Sequence, residues 1–316
     1  MSLQEQEFDR PPFLDLQMAR YRFTLAFSGK DRLPDYPSLG LRGLLGRSLQ
    51  KLVCPLPGNP ENKCKQCSIN AHCPYYCLYE QQTNIGGRTE APKGYIIYVH
   101  PFPEKQELTL ELTLFGHCSM FFPALYAALE KGGESGIGHE APRNKTFQVI
   151  AVYRQTPDGQ ELLTSTPTNV EKPESFPLKN WLRQQEQSSL TAILRTPLRL
   201  TKQREQRMNW SLLYTNLARR LEGLHMVYGN GEGFGKEKWQ KTVLDFSSWP
   251  IPQAKLQWTE LERYSGRQHQ AIPLGGFTGA VDLYGLSARQ RYWWQVASLI
   301  HVGRGAVMGL GRVDII

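Results

Sequence analysis

Long apolar runs are missing from this sequence. No stretch approaches the roughly 18 consecutive apolar residues of a membrane-spanning helix, and no charged start followed by an apolar segment marks a secretory signal. These absences exclude a membrane span and lead us to expect a cytoplasmic protein. Acidic residues are in deficit. The 29 Asp and Glu against 37 Lys and Arg leave a formal charge of +8 and a pI of about 9.1. Such a surplus favours a polyanionic partner: RNA, DNA or an acidic membrane surface. Histidine is scarce, with seven in 316 residues, and none lies in the first helical stretch. No internal repeat is visible. The length allows two domains with cores of their own.

Glycine, by contrast, is concentrated near the end, in His301-Val-Gly-Arg-Gly-Ala-Val-Met-Gly-Leu-Gly-Arg312. Glycine reaches left-handed backbone angles and lets another chain come close. Successive bare N–H groups can cradle an anion, and Arg304 and Arg312 add charge. The spacing G-x-G-x3-G-x-G is not the dinucleotide fingerprint. That fingerprint follows a strand and opens a helix, whereas this loop follows a helix. A tight turn without a ligand would satisfy the same pattern. The preceding helix is marked by a Ser287/Gln290 capping pair. Tyr292, Trp293, Val296, Leu299 and Ile300 then form one apolar stripe.

Taken in order, the chain opens on a loose lead-in over 1–12. Alternation of Tyr21, Phe23, Leu25 and Phe27 predicts a strand over 18–27. Ser38 is placed to cap a helix carrying Leu41, Leu44, Leu45, Leu49 and Leu52, with Arg47 and Lys51 four apart on another face. Strands are expected at 95–99 and 108–115, a short helix at 121–129, and a loop through Gly132, Gly133, Gly136 and Gly138. A strand at 146–153 then enters a hairpin turn at Pro157-Asp-Gly159. The order strand, helix, strand, strand, helix, strand is that of a ferredoxin-like domain. Residues 166–187, rich in Pro, Glu, Ser and Gln, read as a linker. After it come a strand at 190–200 and a helix on Trp210, Leu213, Tyr214, Leu217, Leu221, Leu224 and Tyr228, ended by Gly229. The run 229–235 reads as a flexible connector. Strands at 255–263 and 272–284, the Ser287 helix and a last strand at 313–316 repeat the first half's element order.

Five of the six cysteines, Cys54, Cys64, Cys67, Cys73 and Cys77, lie within 24 residues at spacing C-x9-C-x2-C-x5-C-x3-C. In a cytoplasmic chain they are thiols or metal ligands rather than disulfides. A C-x2-C pair lets two thiolates bind one ion from a tight turn, and structural zinc takes four such ligands. A four-cysteine iron–sulfur cluster fits the spacing too. One cysteine is spare, and His72 could replace a thiolate. The segment has little apolar content, so an ion would supply its order.

The C-terminal helix, glycine loop and final strand resemble the CRISPR precursor-RNA endoribonucleases of the repeat-associated mysterious protein (RAMP) superfamily. The cysteine after the first helix, the C-x2-C and the Cys73-Pro-Tyr piece are similar to related members, which selects Cys54, Cys64, Cys67 and Cys73 as zinc ligands and leaves Cys77 over. Leu114-Phe-Gly116 and Gly136-Ile-Gly138 resemble the family more loosely. The expected fold is α+β, two tandem ferredoxin-like (RRM-like) domains. The first spans 1–165, with a cysteine-rich metal-binding insertion at about 53–80; a linker covers 166–187; the second spans 188–316, with the glycine-rich loop at 303–311.

The resemblance implies an endoribonuclease that binds CRISPR repeat RNA and cleaves precursor crRNA without a catalytic metal, its zinc being structural. The RNA's own 2′-hydroxyl attacks the adjacent phosphate. A base takes that proton, an acid protonates the 5′-oxygen and a cation stabilises the phosphorane, giving a 2′,3′-cyclic phosphate and a 5′-hydroxyl. The first helix would border the cleavage site and the loop would lie against the RNA. RNA contacts then fall to Arg42, Arg47, Arg219, Arg220, Gly303, Arg304, Gly305, Gly309, Gly311 and Arg312. Many members carry a catalytic histidine in or near the first helix, and this chain departs from that pattern. His301 is the expected base or acid, with Tyr36 and Lys51 beside it, His225 a weaker candidate, and His72 and His100 the histidines nearest the helix in sequence. Two other classes fit: a RAMP subunit that holds or caps crRNA with other effector-complex subunits, and a zinc-containing nucleic-acid-binding protein unrelated to CRISPR.

Overall fold

The computed structural model describes residues 11–28, 33–55, 64–81, 91–100, 107–137, 145–163, 173–184, 187–203, 206–265 and 270–316. The chain divides into two compact units, Gln17–Phe176 on one side and Met1–Leu16 with Pro177–Ile316 on the other. Among the described residues no helix is long and apolar enough to cross a membrane.

The unit Gln17–Phe176 is built from β1 (Gln17–Phe27), α1 (Pro37–Val53), β2 (Tyr95–Val99), β3 (Glu107–Phe115), α2 (Phe122–Ser135), β4 (Phe147–Thr156) and β5 (Gly159–Leu162). Its strands run in the order β2-β3-β1-β4-β5, with every neighbour antiparallel. The first four give the ferredoxin-like arrangement that the element order implied. Alternation along β1 sends Tyr21, Phe23 and Leu25 into the core, where Tyr21 stacks on Phe122 of α2 at 3.6 Å between centroids. Leu41, Leu44, Leu45 and Leu49 of α1 are buried with them. The alternate residues of β1 carry a polar cluster. Arg20 Nη2 and Arg22 Nη2 donate to the buried carboxylate of Glu111 at 3.1 and 3.4 Å, and His100 Nε2 lies 3.0 Å from it.

Local details differ from the sequence reading. Pro37, not Ser38, begins α1. Tyr36 stands at the N-cap with no capping side-chain bond, and Ser38 is buried. Proline suits this place because the first helical N–H has no intrahelical partner. Gly136 ends α2 as expected, at φ +75°, but Gly132 and Gly133 extend the helix. Gly132 meets Leu44 of α1, and Gly133 meets the Phe147 carbonyl, each closer than a Cβ would allow. Packing outweighs glycine's poor helix propensity here. Gly138 lies outside the described residues.

The two-residue β6 (Phe176–Pro177) pairs with β1 at the boundary in sequence. The other unit holds β7 (Leu190–Leu198), α3 (Trp210–Tyr228), α4 (Lys236–Ser248), β8 (Gln253–Thr259), β9 (Glu262–Ser265), β10 (Gln270–Pro273), β11 (Gly276–Leu283), α5 (Ala288–Ile300) and β12 (Val313–Ile315). The sheet order β12-β7-β11-β8 is again ferredoxin-like, and β9 with β10 forms a separate hairpin. The Ser287/Gln290 capping box is formed in full. Gly229 ends α3 without a left-handed angle, and a Cβ there would collide with the His225 ring and carbonyl. Helix α4 was not foreseen; its buried residues are Thr242 and Phe246 alone. Part of the expected linker is packed. Leu178 is fully buried, its N–H bonds to Leu16 O, and that of Lys179 bonds to Leu14 O, both at 2.9 Å.

Gly133→Val should lower stability by about 1–3 kcal/mol through overpacking against the Phe147 backbone. Gly159→Ala, with nothing within 4 Å of the added carbon, should stay within about 0.5 kcal/mol. Urea unfolding of both variants checks this; a wild-type midpoint for Gly133→Val would show that α2 yields without penalty.

Candidate functional site

The glycine loop begins where α5 stops. His301 takes φ +58°, and its N–H still reaches Ala297 O at 3.1 Å. Gly303, Gly305, Gly309 and Gly311 all have φ between +65° and +86°, the region that side chains avoid. A Cβ on Gly303 would fall inside the Arg199 carbonyl oxygen, and one on Gly311 inside that of Val302. The loop is therefore pressed backbone to backbone on the end of β7. Arg304 N donates to Arg199 O at 2.8 Å, Gly311 N to Pro197 O at 3.1 Å and Val302 N to Gly311 O at 3.0 Å. The Thr196 hydroxyl donates to Gly309 O at 2.9 Å and accepts from Arg312 N at 3.0 Å. Met308, Gly309 and Leu310 direct their N–H groups to Gly305 and Ala306 carbonyls. This corrects the expected cradle of bare N–H groups: most of them serve the loop itself, and the glycines serve close approach.

The side chains sort by geometry. Arg304 is exposed, and no acidic side chain among the described residues pairs with it. Arg312 Nε donates to Asp314 Oδ1 at 2.7 Å, and Arg195 Nε donates to Oδ2 at 2.8 Å. Burial alone would raise the Asp314 pKa. The Arg312 charge and the two arginine hydrogen bonds outweigh it and hold the carboxyl below its usual range. Arg220, expected to meet RNA, instead donates from Nε to Ile300 O at 2.7 Å, satisfying a carbonyl at the end of α5. Burial brings its pKa down to about 10. Arg219 stacks over Trp239 at 5.3 Å.

The histidines are placed differently from expectation as well. His301 is 2% exposed, and its Nδ1 donates to Leu310 O at 3.2 Å. An imidazole so enclosed anchors the loop. His225 is likewise buried, with Nδ1 on Glu232 O at 2.8 Å, Nε2 at 3.2 Å from Asp15 Oδ1 and a stacked Phe13 ring at 4.6 Å. Together with the bond from Phe234 N to Glu222 Oε1 at 3.0 Å, this orders the connector that was read as flexible. His72 is exposed in the cysteine segment.

On α1, Arg47 and Lys51 are exposed. Arg42 is not a surface cation: its guanidinium lies 5.1 Å from the Tyr79 ring, whose hydroxyl donates to Arg42 O at 3.2 Å. Gly46 leaves the notch that Tyr79 fills. Tyr36 is half-buried, and burial, then Asp35, raises its pKa. A phenol held this way keeps its proton at neutral pH and can act as a donor or acid rather than as a base.

Tyr79 belongs to the last turn of the cysteine segment, Tyr76–Glu80, so that segment docks on α1. Cys54 caps α1, with its N–H on Gln50 O at 2.9 Å. Burial raises the Cys64 pKa, and so do Glu80, Cys54, Cys73 and Cys67 in turn, which places the other three expected ligands within electrostatic reach of Cys64. Among the described residues, however, no three His, Cys, Asp or Glu side chains are gathered at metal-holding distance. The donors suit zinc chemically, but they are not drawn into a coordination shell. Cys77 is buried and engaged, its thiol 3.6 Å from Ala71 O and 3.8 Å from Asn70 O.

The sequence reading passed over Thr196, Arg199 and Trp258, which carry no motif. The Arg199 guanidinium lies 5.8 Å from the Trp258 ring, and Arg263 Nη1 lies 3.2 Å from Met308 Sδ inside the loop.

Residues 16–175 match the N-terminal domain of the AF_1859_N family, and residues 193–313 match the family described as CRISPR-associated endoribonuclease Cas6. No curated protein matches the chain. Among solved structures, the Cas6 (TTHB231) product complex is similar at 15% identity and TM-score 0.56, over 95% of this chain and 99% of that one. Thermus thermophilus Cas6 (TTHB231) is similar at 15% identity and TM-score 0.54, over the same shares. A partial Cas6-RT-Cas1--Cas2 complex is similar at 13% identity and TM-score 0.56, over 97% of this chain and 47% of that one. At these identities the likeness is one of fold.

The Asp314 carboxyl has a lower pKa folded than unfolded. Its contribution to stability is therefore present above the ordinary carboxylate range and lost as pH falls through and below it. Wild-type stability should decline more steeply below about pH 4 than that of Asp314→Asn. Parallel acid unfolding curves would contradict the role assigned to the Arg195–Asp314–Arg312 cluster.

Proposed function

We propose that the chain is a CRISPR-associated endoribonuclease of the Cas6 type within the RAMP superfamily, which binds CRISPR repeat RNA and cleaves precursor crRNA by attack of the RNA's own 2′-hydroxyl, without a catalytic metal. The observation that carries this reading is the family match over 193–313, which takes in the whole glycine loop. The net charge of +8 supports a polyanionic substrate.

The catalytic side chains follow from exposure and protonation. Tyr36, whose proton is held by burial, donates to the leaving 5′-oxygen, and the proton of the attacking 2′-hydroxyl passes to solvent water. Lys51 and Arg47, exposed on α1, stabilise the phosphorane charge. Arg304 meets a phosphate from the loop, while Arg312 and Arg220 hold the loop and helix from within. His301 is a positioning residue. Partners beyond RNA are other subunits of a CRISPR complex, a setting in which a structurally similar Cas6 unit is found. The second reading, an RNA-holding RAMP subunit that does not cut, is favoured by the burial of His301 and the lack of histidine on α1.

Incubation of the protein with repeat RNA in EDTA separates the two readings. Cleavage should persist and leave a 2′,3′-cyclic phosphate and a 5′-hydroxyl. Bound but uncut RNA would establish the second reading, and an absolute need for added magnesium would reject the mechanism. In single-turnover assays with saturating RNA, Tyr36→Phe and Lys51→Ala should each slow cleavage by roughly 100-fold, and His301→Ala by less than tenfold while lowering the melting temperature. A 100-fold loss in a fully folded His301→Ala protein would restore the imidazole to the chemistry.

The cysteine segment, on the same proposal, holds one structural zinc ion through Cys54, Cys64, Cys67 and Cys73. A closed tetrahedral thiolate site supplies order and no reaction chemistry. Elemental analysis of reduced protein should find about one equivalent. Cys67→Ser should lose the metal and Cys77→Ser should keep it. Metal-free protein from zinc-supplemented growth would remove zinc from the account, and iron in its place would point to a cluster.

A further inference from the structure

The loop has a neighbour that the proposal above does not use. Trp258 on β8 pairs with Phe277 on β11, which pairs in turn with Leu198 on β7. The three lie in one row across the sheet. Leu198 and Phe277 are buried, whereas Trp258, at the row's end, is half-exposed. Its ring meets Phe277 edge-on at 5.2 Å, and its Nε1 donates to Glu260 Oε1 at 2.8 Å, which fixes the indole plane. From the other end of the row, Arg199 brings its guanidinium to 5.8 Å from that ring, while its carbonyl holds the N–H of exposed Arg304. Two strand spacings, about 10 Å, separate the strand that carries the loop from the strand that carries the indole.

We infer that Trp258, Arg199 and Arg304 form a nucleotide subsite for single-stranded RNA, in which an unpaired base stacks on Trp258 and its phosphates meet Arg199 and Arg304. This rests on the reading of the chain as an RNA-binding protein. Three features point to that occupant. A fixed, half-exposed indole offers a π face that any unstacked base can use. A guanidinium already lies over that ring, so the place tolerates a planar cation–π or stacking partner. The loop's backbone fixes Arg304 beside Arg199, which sets charge at one side of the aromatic face rather than around it. A base in a duplex has its faces covered by its neighbours, so the site selects unpaired RNA.

The test is affinity for a short single-stranded oligouridylate and for a duplex RNA of equal length, measured with wild type, Trp258→Ala and Trp258→Phe. Trp258→Ala should weaken single-strand binding about tenfold or more, the scale of one lost base stack. It should leave the melting temperature and the duplex affinity within error, and Trp258→Phe should restore most of the loss. Single-strand affinity of Trp258→Ala within twofold of wild type would overturn the subsite, as would equal losses for both RNAs. Should Trp258→Ala not fold, the fluorescence difference between wild type and Trp258→Phe decides the matter, since oligouridylate should quench it and an unquenched difference overturns the inference. Wild-type protein that binds neither RNA would overturn the RNA reading itself, which is a separate outcome.

Discussion

The C-terminal unit depends on two places where backbone meets backbone with no room for a Cβ: Gly303 against the Arg199 carbonyl and Gly311 against that of Val302. Four left-handed glycines turn the chain between α5 and β12, so that β12 can lie beside β7 and complete the order β12-β7-β11-β8. The same contact fixes Arg304 at the surface and His301 in the interior. Fold and site therefore share one constraint. A side chain at Gly303 would strain an angle that L-residues avoid and would collide with the Arg199 carbonyl, which directly follows β7.

Charge is the clearest signal in the composition and the least specific in place. Arg42 is folded under a tyrosine, Arg220 satisfies a helix end, and Arg195 and Arg312 share Asp314. Each answers a local demand of the fold. Of the cations that the sequence offered for RNA, Arg47, Lys51 and Arg304 stay exposed. On this reading an arginine motif predicts binding only after the acceptors inside the fold have been counted.

Both ferredoxin-like halves were legible from alternation and helical stripes, because burial on one face imposes those periods on β1, β3, α3 and α5. The glycine loop was legible as a loop, but its reason was not, since close approach to β7 is a tertiary fact. Helix α4 stayed hidden because its buried residues are only Thr242 and Phe246, set among lysines after a glycine run. Gly132 and Gly133 read as a break because propensity speaks locally, while Leu44 and Phe147 come from far along the chain. The direction of the His301 side chain has no local signature at all. Nor do Arg199 and Trp258, which meet only once β7, β11 and β8 are aligned.

The proposed chemistry turns on one oxygen atom. A repeat RNA carrying a single 2′-deoxy substitution just upstream of the scissile phosphate removes the nucleophile and leaves the charges, bases and fold of the substrate in place. With the 2′-hydroxyl as nucleophile, that RNA is bound with unchanged affinity and is not cut at the substituted bond. Cutting of the substituted RNA at the same bond would show that another nucleophile attacks the phosphate, and it would contradict the mechanism whichever residues surround it.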